Sequence, residues 1–425
     1  MENTASYRQI MYLCKNRTTM KQNCLLWMLV GMLLVGCGEI TPEIVDAPKP
    51  IALTKSQEAV MLQGNDFAFK LLRECHSEFK GDNLFLSPMG VTIVSSMLAN
   101  GAEGKTYEEI VDAIGLKGYT LDQINDCYST LVAALYKADP KVSFSLANSV
   151  WAANDLSLKK KFCTNMEKTF DAESFSVDFG ASGTLKKVND WCSKKTNGLI
   201  PKMFDQLSPL TRMLLINALY FKGDWVYSFA EEQTFEGDFA TLGGGLAKVQ
   251  YMEMSRELEA YQDNDVSIVK LPYGNGAFFM EAIVPNGDFN AFLASLSLTQ
   301  LQRWDQSIKP AKADLDFPKI TAEFDTDEGL VPVLMQLGMK RAFSPEEADF
   351  SNMSDEQLYV SNFRQKTYVK LDEKGTEAAA VTVAEMRKNT AVGSGNLLLL
   401  FDRPFVYLIR EKSTGAILFI GTKVK

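Results

Sequence analysis

The 425-residue chain contains one histidine, His76, and that scarcity excludes whole classes of chemistry. A two-histidine zinc site is impossible, and a Ser-His-Asp or Cys-His hydrolase would have to work through His76. Its surroundings, Leu72-Arg73-Glu74-Cys75-His76-Ser77, hold no nucleophile turn and read as the late part of a helix, so His76 reads as an ordinary surface histidine. No C-x-x-C pair occurs among the seven cysteines, Cys14, Cys24, Cys37, Cys75, Cys127, Cys163 and Cys192, which removes zinc ribbons and thioredoxin-type motifs. No catalytic residue, metal site or cofactor is expected. The isolated cysteines read as free core thiols, and an oxidising compartment would permit bridges among the four in the globular part. There is no excess of positive charge either. A formal net charge of −9, with both signs mixed, argues against a nucleic-acid partner. No repeat period and no low-complexity linker interrupts residues 56–425. With 46% hydrophobic residues, that stretch reads as one large α+β domain.

Long hydrophobic runs are missing as well. The longest near the N-terminus, residues 25–35, falls short of the ~20 apolar residues that a bilayer span needs. Preceded by Lys21 and followed by Leu34-Val35-Gly36-Cys37, it reads as the core of an export signal and resembles a bacterial lipobox, in which Cys37 receives the lipid. Residues 1–36 are then leader and signal peptide, with Met20 a plausible start. Residues 37–55, with Pro42, Pro48 and Pro50, become a lipidated tether. Membrane contact would run only through that anchor, in a bacterial cell envelope and on the outer surface if exported there, and the protein would otherwise be secreted.

Within residues 56–425, helical spacing covers 56–79 through Val60, Phe67, Leu71 and Cys75. Ser87-Pro88 caps a buried helix over 91–100, and Thr106-Tyr107-Glu108-Glu109 is a capping-box pattern. Residues 142–151 read as a strand and 185–195 as a helix. The apolar run 212–221 reads as a strand in a sheet's centre. The C-terminus is strand-rich at 397–401, 404–410 and 416–423, the last two joined as a hairpin at 412–415.

Residues 373–389 read as loop or strand. With period two, Thr376, Ala378, Ala380, Thr382 and Ala384 share one face, all small and uncharged, while Glu377, Ala379, Val381, Val383 and Glu385 share the other. No proline forbids pairing in the middle of a sheet. The basic end, Met386-Arg387-Lys388-Asn389, is the kind of tip that proteases cut.

Motifs along the chain carry a resemblance to the serpins. They are Asn83-Leu84-Phe85-Leu86-Ser87-Pro88, Leu146-Ala147-Asn148, Val188-Asn189-Asp190-Trp191 and Asn217-Ala218-Leu219-Tyr220-Phe221-Lys222-Gly223-Asp224-Trp225. Further on come Ala342-Phe343-Ser344, Ala348-Asp349-Phe350-Ser351, Asp372-Glu373-Lys374-Gly375-Thr376-Glu377-Ala378-Ala379-Ala380 and Phe401-Asp402-Arg403-Pro404-Phe405. The resemblance implies three β-sheets with about nine helices and an exposed reactive loop at about 373–396. It implies a suicide-type inhibitor rather than an enzyme: a target endopeptidase cuts the loop, which then enters the central sheet as a new strand.

By the same resemblance, Glu373, Gly375, Thr376, Ala378, Ala380 and Thr382 form the hinge. Trp225 and Lys319 belong to the breach, where the loop enters the sheet, with Lys319 paired to Glu373. Ser87, Asn217 and Gln365 belong to the polar shutter beneath the sheet. Two positions depart from the family: Gln365 stands where the shutter histidine falls and Gly90 where its second serine falls. An amide cannot titrate, so pH-sensitive opening through this cluster is not expected. Counting from Glu373 puts Asn389 before the cut. Lys388 is favoured, with Arg387, Asn389 and Thr390 as the other candidates, because basic residues suit trypsin-like enzymes or cysteine endopeptidases specific for Arg or Lys. A monomer is expected. The alternatives are a non-inhibitory binding or chaperone-like serpin, and a hydrolase acting through His76.

Overall fold

Thr54 starts the first helix reciprocally: its hydroxyl accepts from the Gln57 amide, and the Gln57 side chain accepts from the Thr54 amide. That helix, α1 (Lys55–Glu78), buries Val60, Phe67, Leu71 and Cys75 along one stripe. The computed structural model describes residues 47–327, 329–376 and 395–425. Ahead of α1, Ile51 donates its amide to the Ser413 hydroxyl at 2.9 Å, and Ile51 and Leu53 pack against the core. The end of the expected tether thus lies on the body rather than free of it, because these two side chains are apolar.

Strand β1 (Phe85–Leu86) leads to Ser87, whose hydroxyl accepts from the Gly90 amide while Pro88 opens α2 (Pro88–Gly101). Helix α3 (Gly104–Ala113) departs from its expected cap. Thr106 lies inside the helix, and its hydroxyl accepts the Asp349 amide at 3.0 Å, so a distant partner has displaced the local motif. Next come α4 (Leu121–Leu135), β2 (Ser143–Ala153), α5 (Lys160–Phe170), β3 (Glu173–Val177) and α6 (Thr184–Lys195). The apolar strand is β4 (Met213–Asp224), followed by β5 (Phe235–Ala240), β6 (Leu246–Gln262), β7 (Val266–Tyr273) and β8 (Phe278–Pro285). Helices α7 (Phe289–Ser295) and α8 (Leu298–Ser307) precede β9 (Lys309–Pro318), β10 (Ile320–Asp325) and α9 (Leu330–Gln336). The chain ends with β11 (Lys366–Leu371), β12 (Gly375–Thr376), β13 (Leu397–Leu400) and the pair β14 (Phe405–Glu411) and β15 (Ile417–Lys423). The described residues thus carry nine α-helices among mixed sheets, an α+β fold.

The larger sheet runs β1-β15-β14-β8-β7-β6-β9-β13, with β5 also on β6, and the smaller runs β10-β11-β12-β4-β2-β3. Two of the three sheets that the resemblance implies are joined here. The 17-residue β6 pairs β5 and β9 along most of its length and β7 at its end.

Strand β4 was expected in a sheet's centre, and β2 pairs it from Met213 to Lys222. On its other side β12 pairs only Gly223 and Asp224. No ladder among the described residues joins β4 to β11, and Met213, Leu214 and Leu215 are only half-buried. The two strands border a lane whose first places are taken by β12.

Candidate functional site

The upper end of the lane is built around Gly375. A Cβ there would meet the Gly223 carbonyl oxygen at 2.2 Å and Asp224 Cα at 2.7 Å, so only glycine lets the chain slip in beside β4. Gly375 then faces Asp224, and Thr376 faces Gly223 on one side and Leu371 on the other. The Thr376 side chain points into the core, its hydroxyl 2.7 Å from that of the buried Tyr273. Trp225 closes the seat. Its backbone amide donates to the Lys374 carbonyl at 2.7 Å, its indole N–H to the Asp372 carbonyl at 2.9 Å, and its ring stacks on Tyr273 at 4.3 Å.

Glu373 anchors the turn just before β12. It is buried, with the Lys319 ammonium 2.6 Å and the Thr234 hydroxyl 2.5 Å from the same carboxylate oxygen. Burial alone would raise its pKa, but the Lys319 and Thr234 hydrogen bonds outweigh it and hold the carboxyl below the usual range. The structure therefore brings Trp225, Lys319, Glu373, Gly375 and Thr376 together.

The lower end is arranged differently. Gln365 grips the first turn of α2 through two bonds, accepting from the Ser87 amide at 2.8 Å and donating to the Ser87 carbonyl at 2.9 Å. Its backbone is tied to Thr326, with the Gln365 amide on that hydroxyl at 2.8 Å. Asn217 does not join this pair and donates instead to Asn148 across β2 at 2.9 Å. Gly90 lies between the two groups: a Cβ there would sit 2.6 Å from Asn217 Oδ1 and 3.3 Å from Gln365 Nε2. A cavity of about 330 Å³ opens beside them, between the start of β4 and residues 357–365, over an apolar floor that includes Val91, Val94 and Phe363.

Nothing among the described residues assembles nucleophilic catalysis around the lone histidine. His76 is half-buried rather than simply on the surface, with Nε2 3.0 Å from Asn290 Oδ1 and the ring edge-on to Phe289. Its neighbour Cys75 is buried, and burial pushes that thiol up, away from the reactive thiolate. Cys75, Cys127, Cys163 and Cys192 are all free.

Ala378, Ala380, Thr382, the bond candidates Arg387, Lys388, Asn389 and Thr390, and the lipidation candidate Cys37 lie outside the described residues. Sequence reading passed over Thr234 and Tyr273, and it quoted Gly223 and Asn148 within family motifs without giving them a place in the site. Each meets its partner only through the fold, and a local signal existed for Gly223 alone, as a glycine interrupting an apolar strand.

Comparison with known proteins agrees with this geometry. The profile of the family described as Serpin (serine protease inhibitor) matches residues 62–425. Iripin-5 of Ixodes ricinus is 31% identical over 384 residues, covering 87% of this chain and 96% of the relative. Human thyroxine-binding globulin is 28% identical over 368 residues, 84% of this chain and 88% of that one. Among solved structures, the thermophilic serpin tengpin in its native state aligns with a TM-score of 0.77 and 28% identity, over 90% of this chain and 98% of that one. The complex of thyroxine-binding globulin with thyroxine gives a TM-score of 0.78 at 27% identity, over 86% and 99%. With its profile match, its relatives and its strand lane in agreement, the chain belongs to the serpin family.

Proposed function

We propose that this chain is a suicide-type inhibitor of serine endopeptidases, and of Arg- or Lys-specific cysteine endopeptidases, acting by cleavage of its loop and insertion of the cut strand into the lane. The observation that carries this reading is β12, already seated between β4 and β11 with Thr376 facing the core. Continued in the same register, residues 377–386 would face 222–213 of β4, with Thr382 opposite Asn217. Side chains alternate along a strand, so Ala378, Ala380, Thr382 and Ala384 would follow Thr376 inward. Small uncharged residues are what such a face accepts without the cost of burying a charge. Each net backbone hydrogen bond contributes ~0.5–1.5 kcal/mol, and pairing on two sides makes the gain on the order of ten kcal/mol.

The register runs out at Met386, the last residue opposite β4, which leaves Arg387, Lys388, Asn389 and Thr390 beyond the strand. We assign the cut to the bond after Lys388, with the neighbouring bonds as alternatives. Family members are inhibitors or binding proteins rather than catalysts, so an enzyme activity is not part of this reading. Residues 37–55, with acylated Cys37, would tether a monomer to a bacterial envelope. Incubation with trypsin and with an elastase-like protease should give an SDS-stable complex with trypsin and a cut at 387–389. Clean cleavage without a complex would contradict inhibition.

The second reading, a non-inhibitory binding protein, draws on the relatives named thyroxine-binding globulin and corticosteroid-binding globulin. Unimpaired cleavage of the loop with no complex formed by any protease class would favour it.

A further inference from the structure

We propose that strand β13, which follows the loop, is attached to β9 in a pH-dependent way, because its outer leucines lie beside a carboxylate, Asp316, that already faces the like charge of Glu253 across the sheet. β13 is an edge strand of four residues whose partner is β9, with Leu398 beside Asp314, Leu399 beside Leu315 and Leu400 beside Asp316. Leu399 and Leu315 are fully buried on the inner face. On the outer face two leucines therefore lie beside two carboxylates, with Leu400 next to the half-buried Asp316.

On the other side of β9, strand β6 sets Glu253 directly opposite Asp316, a cross-strand pair of like charges. The groups facing Asp316 are Asp314 on its own strand, Glu253 and Tyr251 on β6, and Asp402 in the turn after β13. Asp314 is satisfied by the Ser255 hydroxyl at 2.5 Å and the Asn396 amide at 3.2 Å. Asp402 has Arg403 at 2.8 Å; Tyr251 donates to the Asp238 carbonyl at 3.0 Å, and Asp238 has Lys248 at 2.8 Å. Asp316 and Glu253 have no ion pair among the described residues.

Burial first, then Glu253, Asp314 and Asp402, push the Asp316 carboxyl up from 3.8 to about 6. Once β13 lifts off, water returns to Asp316 and Asp402 moves away, so the group relaxes toward its ordinary value. The attached state therefore binds more protons than the detached one. Attachment is strongest below the ordinary value and is lost as pH rises through about 6. This is opposite in sign to Glu373 at the other anchor of the loop, whose carboxyl is held down.

Hydrogen–deuterium exchange of the full chain at pH 5.0 and 7.5, with exchange times scaled for the chemical rate and β14 as the internal control, tests this without reference to inhibition. The protection of the β13 amides should fall several-fold between the two pH values, with about tenfold as the ceiling that a full relaxation from about 6 to 3.8 sets over this interval. Asp316→Asn should keep β13 protected at pH 7.5 and remove most of the difference. Equal protection of the wild type at both pH values, or an undiminished fall in Asp316→Asn, would overturn the proposal. Should that variant not fold, Glu253→Gln should move the fall to lower pH, and a fall that stays in place would contradict the cross-strand repulsion.

Discussion

The two ends of the lane use polar groups in opposite ways. At the upper end, side chains from three separate parts of the chain, Trp225, Thr234 and Lys319, converge on residues 372–374, and Tyr273 receives Thr376. At the lower end the polar groups flank Gly90 but bond to separate partners: Gln365 closes on Ser87, Asn217 closes on Asn148, and a cavity of about 330 Å³ lies beside them. The difference teaches that the seat for the first residues is built in advance, while below it no ladder among the described residues joins β4 to β11. Under the proposed function the lane would fill from that end, and the alternation of residues 377–386 would decide whether it fills quickly.

The largest effect should come from pitting the two faces of that segment against each other. Ala380→Arg places a charge inward beside Leu219 of β4, where an unpaired buried charge costs several kcal/mol. The SDS-stable complex with trypsin should disappear and the variant should be cut as a substrate. Ala379→Arg, on the outward face, should retain the complex. Equal behaviour of the two would break the register drawn from Thr376.

Removing the partner of Glu373 should have the next largest effect. Lys319→Met leaves a buried carboxylate without its cation, a loss of roughly 3 kcal/mol by the measure of broken buried pairs. Thermal unfolding at pH 7 should show a melting temperature lower by several degrees. Because the folded-state carboxyl is held below its usual value, the stabilisation is present above the ordinary pKa of about 4.3 and disappears as pH falls through the folded value. The difference between wild type and Lys319→Met should therefore shrink below about pH 4.

At the lower end the effect should be smaller. Gln365→Ala removes two hydrogen bonds to the Ser87 backbone, each contributing ~1 kcal/mol. Denaturant unfolding should show a loss of about 2 kcal/mol, with the same loss at pH 5 and pH 8, since no histidine titrates there. A loss as large as that of Lys319→Met would blur the contrast between the two ends.

Much of this was legible in sequence. The helical stripe of α1, the Ser87-Pro88 start of α2 and the apolar run of β4 are local patterns, and local patterns survive folding when burial agrees with them. Thr106 shows the limit, because its capping motif lost to the Asp349 amide, brought in from far along the chain. The same holds for the site. Glu373, Lys319 and Trp225 were nameable from family motifs, whereas Tyr273 and Thr234 meet the hinge only because β7 and the start of β5 pass beside it. The separation of Asn217 from Gln365 was not readable either, since it depends on Asn148 sitting directly opposite on β2.

The central claim is that the cut loop becomes a strand of the smaller sheet. Its most direct test is the melting temperature of the intact chain against that of the chain cleaved once within 387–390. A gain on the order of ten kcal/mol predicts that cleavage raises the midpoint by roughly 10 °C or more. An unchanged or lowered midpoint would mean that the loop stays outside the lane, and would contradict the account.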